Sequence, residues 1–275
     1  MPSSFPPYAS DYKLLKLSYP SAGVLHLELN RFWKEFGRAF DQISLDVNVR
    51  AVVVSSAFPK VFSAGIDFQF LKTLVPGEDA GDPARRAILI RYFALEFQRA
   101  FIAVHGQVLG LAIDFIAACD IRLAAADTTF CIKETAVGLA TDIGTLARLP
   151  KLTGNASLLH ELALTARSFG CPEALSLGLI SRAVPGSRTE VVQAALEMGA
   201  QIAQHSPLAT LGTKRFLANA RERTVPEALE YQATWNMAAV QAPDLETTAR
   251  AIMKKEQVKY KPLAPWVQPE SKSKL

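Results

Sequence analysis

The stretch KETAVGLATDIG, residues 133–144, holds two carboxylates, Glu134 and Asp142, eight positions apart. Alanine, valine, leucine, isoleucine and glycine make up most of what surrounds them. Charged side chains are costly to bury without partners. Two acids in one apolar pocket, however, suit general acid–base chemistry. Burial and mutual repulsion push one pKa up, so that one carboxyl is protonated while the other is ionised. A proton can then be taken at one atom and given at another. For either acid alone, the commoner fate is a surface or capping carboxylate.

The elements around this stretch read as an α/β protein. YKLLKLSYPSAGVLHLELN gives two alternating strands about a Ser-Ala-Gly turn. FWKEFGRAFDQIS has helical spacing, with Phe32, Phe36 and Phe40 on one face. RAVVVSS is a continuous β-branched run, expected of a strand buried on both faces. VFSAGID turns through Gly65 into FQFLKTL, an expected helix, and DPARRAILIRYFALEFQRA is a longer one. AFIAVHGQVLG reads as one buried strand ending in a glycine turn, LAIDFIAAC as a helix, and DIRLAAAD and TTFCI as short strands. Strands followed by helices, repeated, predict βαβ-type crossovers. From Thr189 to about Tyr260 the pattern is helical, interrupted at Ser206-Pro207, Val225-Pro226 and Ala242-Pro243. The expected division is a core over 1–186, a helical region over 187–262 and a tail over 263–275.

Composition narrows the function classes. The 275 residues are 49% hydrophobic and 20% charged, with a net charge of +4. That balance is globular, and no dense Lys/Arg block with aromatics points to nucleic acid. Cys119, Cys131 and Cys171 lack zinc-like spacing and read as reduced core residues. No metal site is expected. No apolar run reaches membrane-spanning length, and MPSSFPPYAS has neither a signal-peptide apolar region nor an arginine. The polar tail VQPESKSKL ends in Ser273-Lys274-Leu275, a receptor-read address for the peroxisome matrix. No Ser-His-Asp logic, GxSxG elbow or P-loop is present.

Four segments carry a resemblance: FSAGID, AFIAVHGQVLGLAIDFIAACDIRLA, KETAVGLATDIGTLARLPKLTGN and PEALSLGLISRAV. Together they resemble the enoyl-CoA hydratase/isomerase (crotonase) superfamily, and within it the Δ3,5-Δ2,4-dienoyl-CoA isomerases. The resemblance covers nearly the whole chain. FSAGID is a superfamily signal. KExxVGLAxDxGTLxRLPK is far more specific, because most relatives lack an acid at the Asp142 position. The resemblance implies a spiral of ββα units, a C-terminal helical region that builds homotrimers or hexamers, and an acyl-CoA substrate. It implies no cofactor, since CoA is part of the substrate.

It also implies roles. A thioester acidifies its α-carbon, and the resulting enolate oxygen needs preorganised N–H donors. By family position these are the amides of Ile66, after Gly65, and Leu111, after Gly110. Ala64, Asp67 and Phe68 belong to the same substrate-binding stretch. In a 3,5-dienoyl thioester, charge created at C2 appears also at C6. Shifting both double bonds removes a proton at C2 and adds one at C6, too far apart for one fixed carboxylate. Glu134 matches the superfamily's acid/base near C2, and Asp142 would serve C6, although the roles can be interchanged. Asp114 matches a third acidic position, where the shorter Asp would tune the pocket or orient the other acids. His105 reads as a structural hydrogen-bonder, Asp127 and Thr128 as a turn, and Arg148 and Lys151 as solvated residues near the entrance.

Two departures from the family pattern stand out. The family's GGG turn is here Gly110-Leu111-Ala112, which would narrow or tilt the oxyanion hole. LELNR runs directly into FWKEFG, without the inserted loop that helps grip CoA. Three readings follow: a dienoyl-CoA isomerase of peroxisomal fatty-acid β-oxidation; a hydratase or isomerase acting on another acyl-CoA, including one of specialised biosynthesis; or a degenerate structural paralogue.

Overall fold

The computed structural model describes residues 12–29, 33–65 and 101–263. The two opening strands form as expected. β1 (Leu15–Ser21) and β2 (Val24–Leu29) pair antiparallel around a turn at Gly23, whose φ is 76°. α1 (Trp33–Leu45) follows, then β3 (Ala51–Ser56), the β-branched run, hydrogen-bonded parallel to β2. On α1, Phe36 lies 4.6 Å from Phe40 and 5.0 Å from Phe115 in the core. Phe32 and the two helices expected between Phe68 and Ala100 lie outside the described residues.

From β3 onward the chain alternates between two sheets. β4 (Val61–Ser63) leaves the first sheet for the second; β5 (Phe101–Val104) returns to the first, and β6 (Gln107–Leu109) joins the second. The helix α2 (Leu111–Ala117) completes that turn. β7 (Arg122–Ala125) and β8 (Thr129–Cys131) repeat the step. The first sheet has the order β1-β2-β3-β5-β7-β10 and the second β4-β6-β8-β9. The passes through β8 each add one parallel strand to each sheet, β9 closing the second sheet antiparallel to β8, which is the ββα spiral that the resemblance implied.

AFIAVHGQVLG is thus two strands rather than one. The break falls at Gly106, with φ 60°. A methyl there would lie 2.1 Å from the Lys60 carbonyl oxygen, so only glycine lets the backbones cross so closely. Periodicity alone cannot reveal such a break, because β6 is only three residues long, too short to show a period of its own.

The remaining elements are α3 (Thr145–Arg148), α4 (Ala156–Thr165), β9 (Phe169–Gly170), α5 (Cys171–Ser176) and β10 (Arg182–Val184). α6 (Arg188–Ala203), α7 (Pro207–Ala220), α8 (Val225–Ala239) and α9 (Asp244–Lys254) complete the chain. The prolines of this region open helices. Ser206 caps α7 by accepting from the Ala209 amide, with Pro207 in the first turn. Thr224 and Glu227 form a capping box on α8 around Pro226.

Two cores result. One fills the space between the sheets, with Leu25, Leu27, Ile102, Ile113, Ile116 and Phe130 among its members. The other lies under α6, whose Val191, Val192 and Ala195 cover Val24, Val53 and Leu123 of the first sheet. α6 thus belongs to the packing of the spiral itself. Trp235 of α8 is half-buried. It packs over Gly212 and edge-on to Phe216, at 6.3 Å, with the Arg215 guanidinium 5.3 Å from its ring. Met237 and Val240 remain 71% and 59% exposed. No helix among the described residues is long and apolar enough to cross a membrane.

Candidate active site

The candidate site lies where β4, β6 and β8 hand over to their following segments. Gly65, just beyond β4, has φ 94°. A methyl on it would lie 3.1 Å from the Leu109 carbonyl oxygen and 3.9 Å from the Leu111 nitrogen. The exit of β4 therefore rests directly on the turn that opens α2. That turn is made by Gly110, with φ 54° and ψ −124°, a conformation essentially reserved for glycine. Its amide donates to the Cys131 carbonyl at 2.9 Å, tying the turn to the end of β8.

Leu111 is the first residue of α2, so no carbonyl within that helix can accept from its amide. This N–H is available as one oxyanion donor, and the helix dipole favours negative charge beside it. The Leu111 side chain is 8% exposed and belongs to the protein's packing, so the Gly-to-Leu departure is absorbed into the fold. The second expected donor, Ile66, and the neighbouring Asp67 and Phe68 lie outside the described residues, while Ala64 is exposed.

Glu134 opens a single 3₁₀ turn, Glu134–Val137, which ends at Gly138 with φ 80°. The Thr135 hydroxyl pins this turn to α4 by donating to the Ala163 carbonyl at 2.8 Å. The carboxyl of Glu134 leans on Gly110: a methyl there would lie 3.1 Å from Oε1. Its Oε2 is buried with no hydrogen-bond partner among the described residues. An acid is thus held, half-satisfied, against the turn that carries the oxyanion donor. Burial raises its pKa above the usual carboxylate value, and the negative charges of Asp114 and Asp142 push it further, against hydrogen bonding from backbone amides.

Asp114 lies one turn into α2 and is 3% exposed. Its Oδ1 accepts from the Thr145 amide at 2.6 Å. Burial raises its pKa, the Thr145 bond opposes this, and the charge of Asp142 adds to the rise. Asp142 itself is exposed, on the loop between Gly138 and Gly144. The three acids therefore form one electrostatic group, with Asp142 acting on both of the others. The sequence reading named all three but missed Thr145. Its only signal is its place after a glycine at the start of a helix.

The bystanders behave as read. His105 is buried and bonds the Phe58 carbonyl through Nε2 at 2.6 Å, with burial lowering its pKa. The Thr128 amide closes a turn onto the Ala125 carbonyl. Lys151 pairs with Glu222 at 2.7 Å on the surface. Arg148 folds back over Gly144 so closely that a methyl there would lie 1.8 Å from Nη1.

This geometry supplies a helix-terminal N–H for a developing oxyanion and a high-pKa carboxyl beside it. That combination moves a proton α to a carbonyl.

Comparison with known proteins agrees. Residues 25–262 match the enoyl-CoA hydratase/isomerase family. The chain is 39% identical over 269 residues to a human protein named mitochondrial Delta(3,5)-Delta(2,4)-dienoyl-CoA isomerase, with 90% of this chain and 81% of the relative covered. It is 34% identical over 273 residues to an Arabidopsis thaliana protein named peroxisomal Delta(3,5)-Delta(2,4)-dienoyl-CoA isomerase, with 90% and 97% covered. In fold it is similar to an enoyl-CoA hydratase from Bacillus anthracis, with a TM-score of 0.79 at 23% identity over 90% of this chain and 99% of that one. The chain belongs to the enoyl-CoA hydratase/isomerase family.

Proposed function

We propose that the chain is an isomerase that converts 3,5-dienoyl-CoA to 2,4-dienoyl-CoA through an enolate. The observation that carries this reading is the second acid: Asp142 stands on a loop tied at its start to the Glu134 carbonyl and at its end to Asp114 Oδ1, and its charge adds to the upward shift of both acids. Glu134, against the oxyanion turn, serves C2. Asp142, on the loop, serves C6. The Leu111 amide stabilises the thioester oxygen as charge develops. The names of the human and Arabidopsis relatives support the same reaction.

The test follows the 2,4-dienoyl chromophore with purified protein and 3,5-dienoyl-CoA. Asp142→Asn should lower isomerisation by roughly 10²–10⁴-fold, the usual worth of a placed acid or base. The same variant should still exchange the C2 proton of an acyl-CoA with solvent, because that step needs only Glu134 and the oxyanion donor. Isomerisation by Asp142→Asn at the wild-type rate would overturn the two-acid mechanism. Wild-type hydration of a 2-enoyl-CoA without isomerisation would favour a hydratase.

We further infer a peroxisomal location and a trimeric or hexameric assembly. Ser273-Lys274-Leu275 supports the location and an import receptor as partner, as does the peroxisomal Arabidopsis relative, although the human relative is named mitochondrial. The assembly is supported by the apolar residues that α7, α8 and α9 leave uncovered, among them Leu217, Met237, Val240 and Ile252.

A further inference from the structure

The loop that carries Asp142 is pinned at both ends to the other two acids. At its start, the Leu139 amide donates to the Glu134 carbonyl at 3.0 Å. At its end, the Thr145 amide donates to Asp114 Oδ1 at 2.6 Å. Asp142 lies midway, three residues from each pin. Between them Ala140 and Asp142 are exposed and Thr141 is buried, and the loop is flanked by Gly138 and Gly144, both at positive φ.

Both anchors are themselves buried. Asp114 sits on α2, all seven residues of which are buried. Thr145 opens α3, which runs directly into the fully buried Leu149. The bond between them joins two fixed elements across the mouth of the loop. In it Asp114 Oδ1 is engaged as the acceptor of an amide N–H.

We propose that Asp114 is a positioning residue: through the Thr145 amide it holds the loop that presents Asp142, and it does not itself exchange protons with substrate. This rests on the reading of Asp142 as an acid of the isomerisation.

The distinction is testable because the strut needs an acceptor and no charge. Asp114→Asn keeps a carbonyl oxygen in place. Asp114→Leu has nearly the same shape and no acceptor, and Asp114→Ala is the second such variant should leucine disturb folding. Misplacing a reacting group by about 1 Å can cost 10²-fold. Both variants remove the Asp114 charge from Glu134, so the comparison between them isolates the acceptor. The Asn variant should stay within about tenfold of wild type in isomerisation, and the Leu variant should fall below the Asn variant by about 10²-fold. Hydrogen exchange of the amides of residues 139–145 supplies a readout that needs no substrate. Asp114→Leu should speed it at least tenfold, and Asp114→Asn should not. Equal loss of isomerisation in Asn and Leu would assign Asp114 a proton-transfer role and overturn the proposal. Unchanged loop exchange in both apolar variants would overturn it as well. Absence of 3,5-dienoyl turnover in the wild type would count against the isomerase reading, and loop exchange would still decide the strut.

Discussion

Gly110→Ala perturbs the centre of the site by one methyl group. Two costs can be separated. The first is local: φ 54° with ψ −124° is a conformation alanine adopts only with strain of order 1–3 kcal/mol. The second is the contact: the new methyl would sit 3.1 Å from Glu134 Oε1, so the carboxyl must yield by a few tenths of an ångström. For a chain of this size 1 kcal/mol shifts the melting temperature by about 2–4 °C, so the variant should melt roughly 3–10 °C below wild type. The shift of Glu134 is smaller than the 1 Å that costs about 10²-fold, and a fall of about tenfold in C2 proton exchange is expected. Gly154→Ala is the control, since nothing lies within 4 Å of a methyl there and its φ is not positive. It should stay within about 0.5 kcal/mol of wild type. Repeating Gly110→Ala in a Glu134→Ala background removes the contact and leaves the backbone strain. The loss should then be smaller than in the native background. Equal losses in both backgrounds would refute the Glu134 contact, and a loss no larger than that of Gly154→Ala would refute the whole argument.

Other expectations concern charge, location and assembly. Burial and neighbouring acids raise the folded-state pKa of Glu134, so folding disfavours its ionised form, and stability falls as pH climbs from the unfolded value through the folded one. Glu134→Gln should therefore melt higher than wild type near pH 8, with the gap closing below the unfolded-chain value; a gap independent of pH, measured by scanning calorimetry, would contradict this. A fluorescent fusion that leaves Ser273-Lys274-Leu275 free at its end should collect in peroxisomes, and removing Leu275 should return it to the cytosol; cytosolic signal with the tripeptide intact would sink the address. Light scattering at micromolar concentration should give a trimer or hexamer, and a monomer would contradict the inferred assembly.

Much of this was legible in residues. The VVV run of β3, the Phe36/Phe40 face of α1 and the Ser206-Pro207 start of α7 each carry a local physical signal, and each forms as read. The two-sheet spiral does not, because it depends on long-range strand pairing, and the strands β4, β6 and β8 that build the second sheet are only three residues each. The half-burial of Trp235 is hidden for a related reason: it depends on Gly212, one helix away, being small enough to accept an indole. At the site, Glu134 and Asp142 were conspicuous as charges in an apolar stretch. Thr145 was not, since its contribution is a backbone amide and any residue but proline would supply one.

The order in which passes of the spiral stack has a consequence for how the chain finds its structure. The parallel links of the first sheet run over residues 30–50 between β2 and β3, 57–100 between β3 and β5, 105–121 between β5 and β7 and 126–181 between β7 and β10. Loop-closure entropy grows with the logarithm of length. Closing the β5–β7 link is therefore favoured by about 1 kcal/mol over the two long links and by only about 0.2 kcal/mol over the β2–β3 link. The β5–β7 link contains β6, the Gly110 turn and α2 with Asp114. The segment that bears the proposed oxyanion donor and strut is thus one of two parallel crossings that close at low entropic cost, and substitutions there are expected to slow folding as well as chemistry.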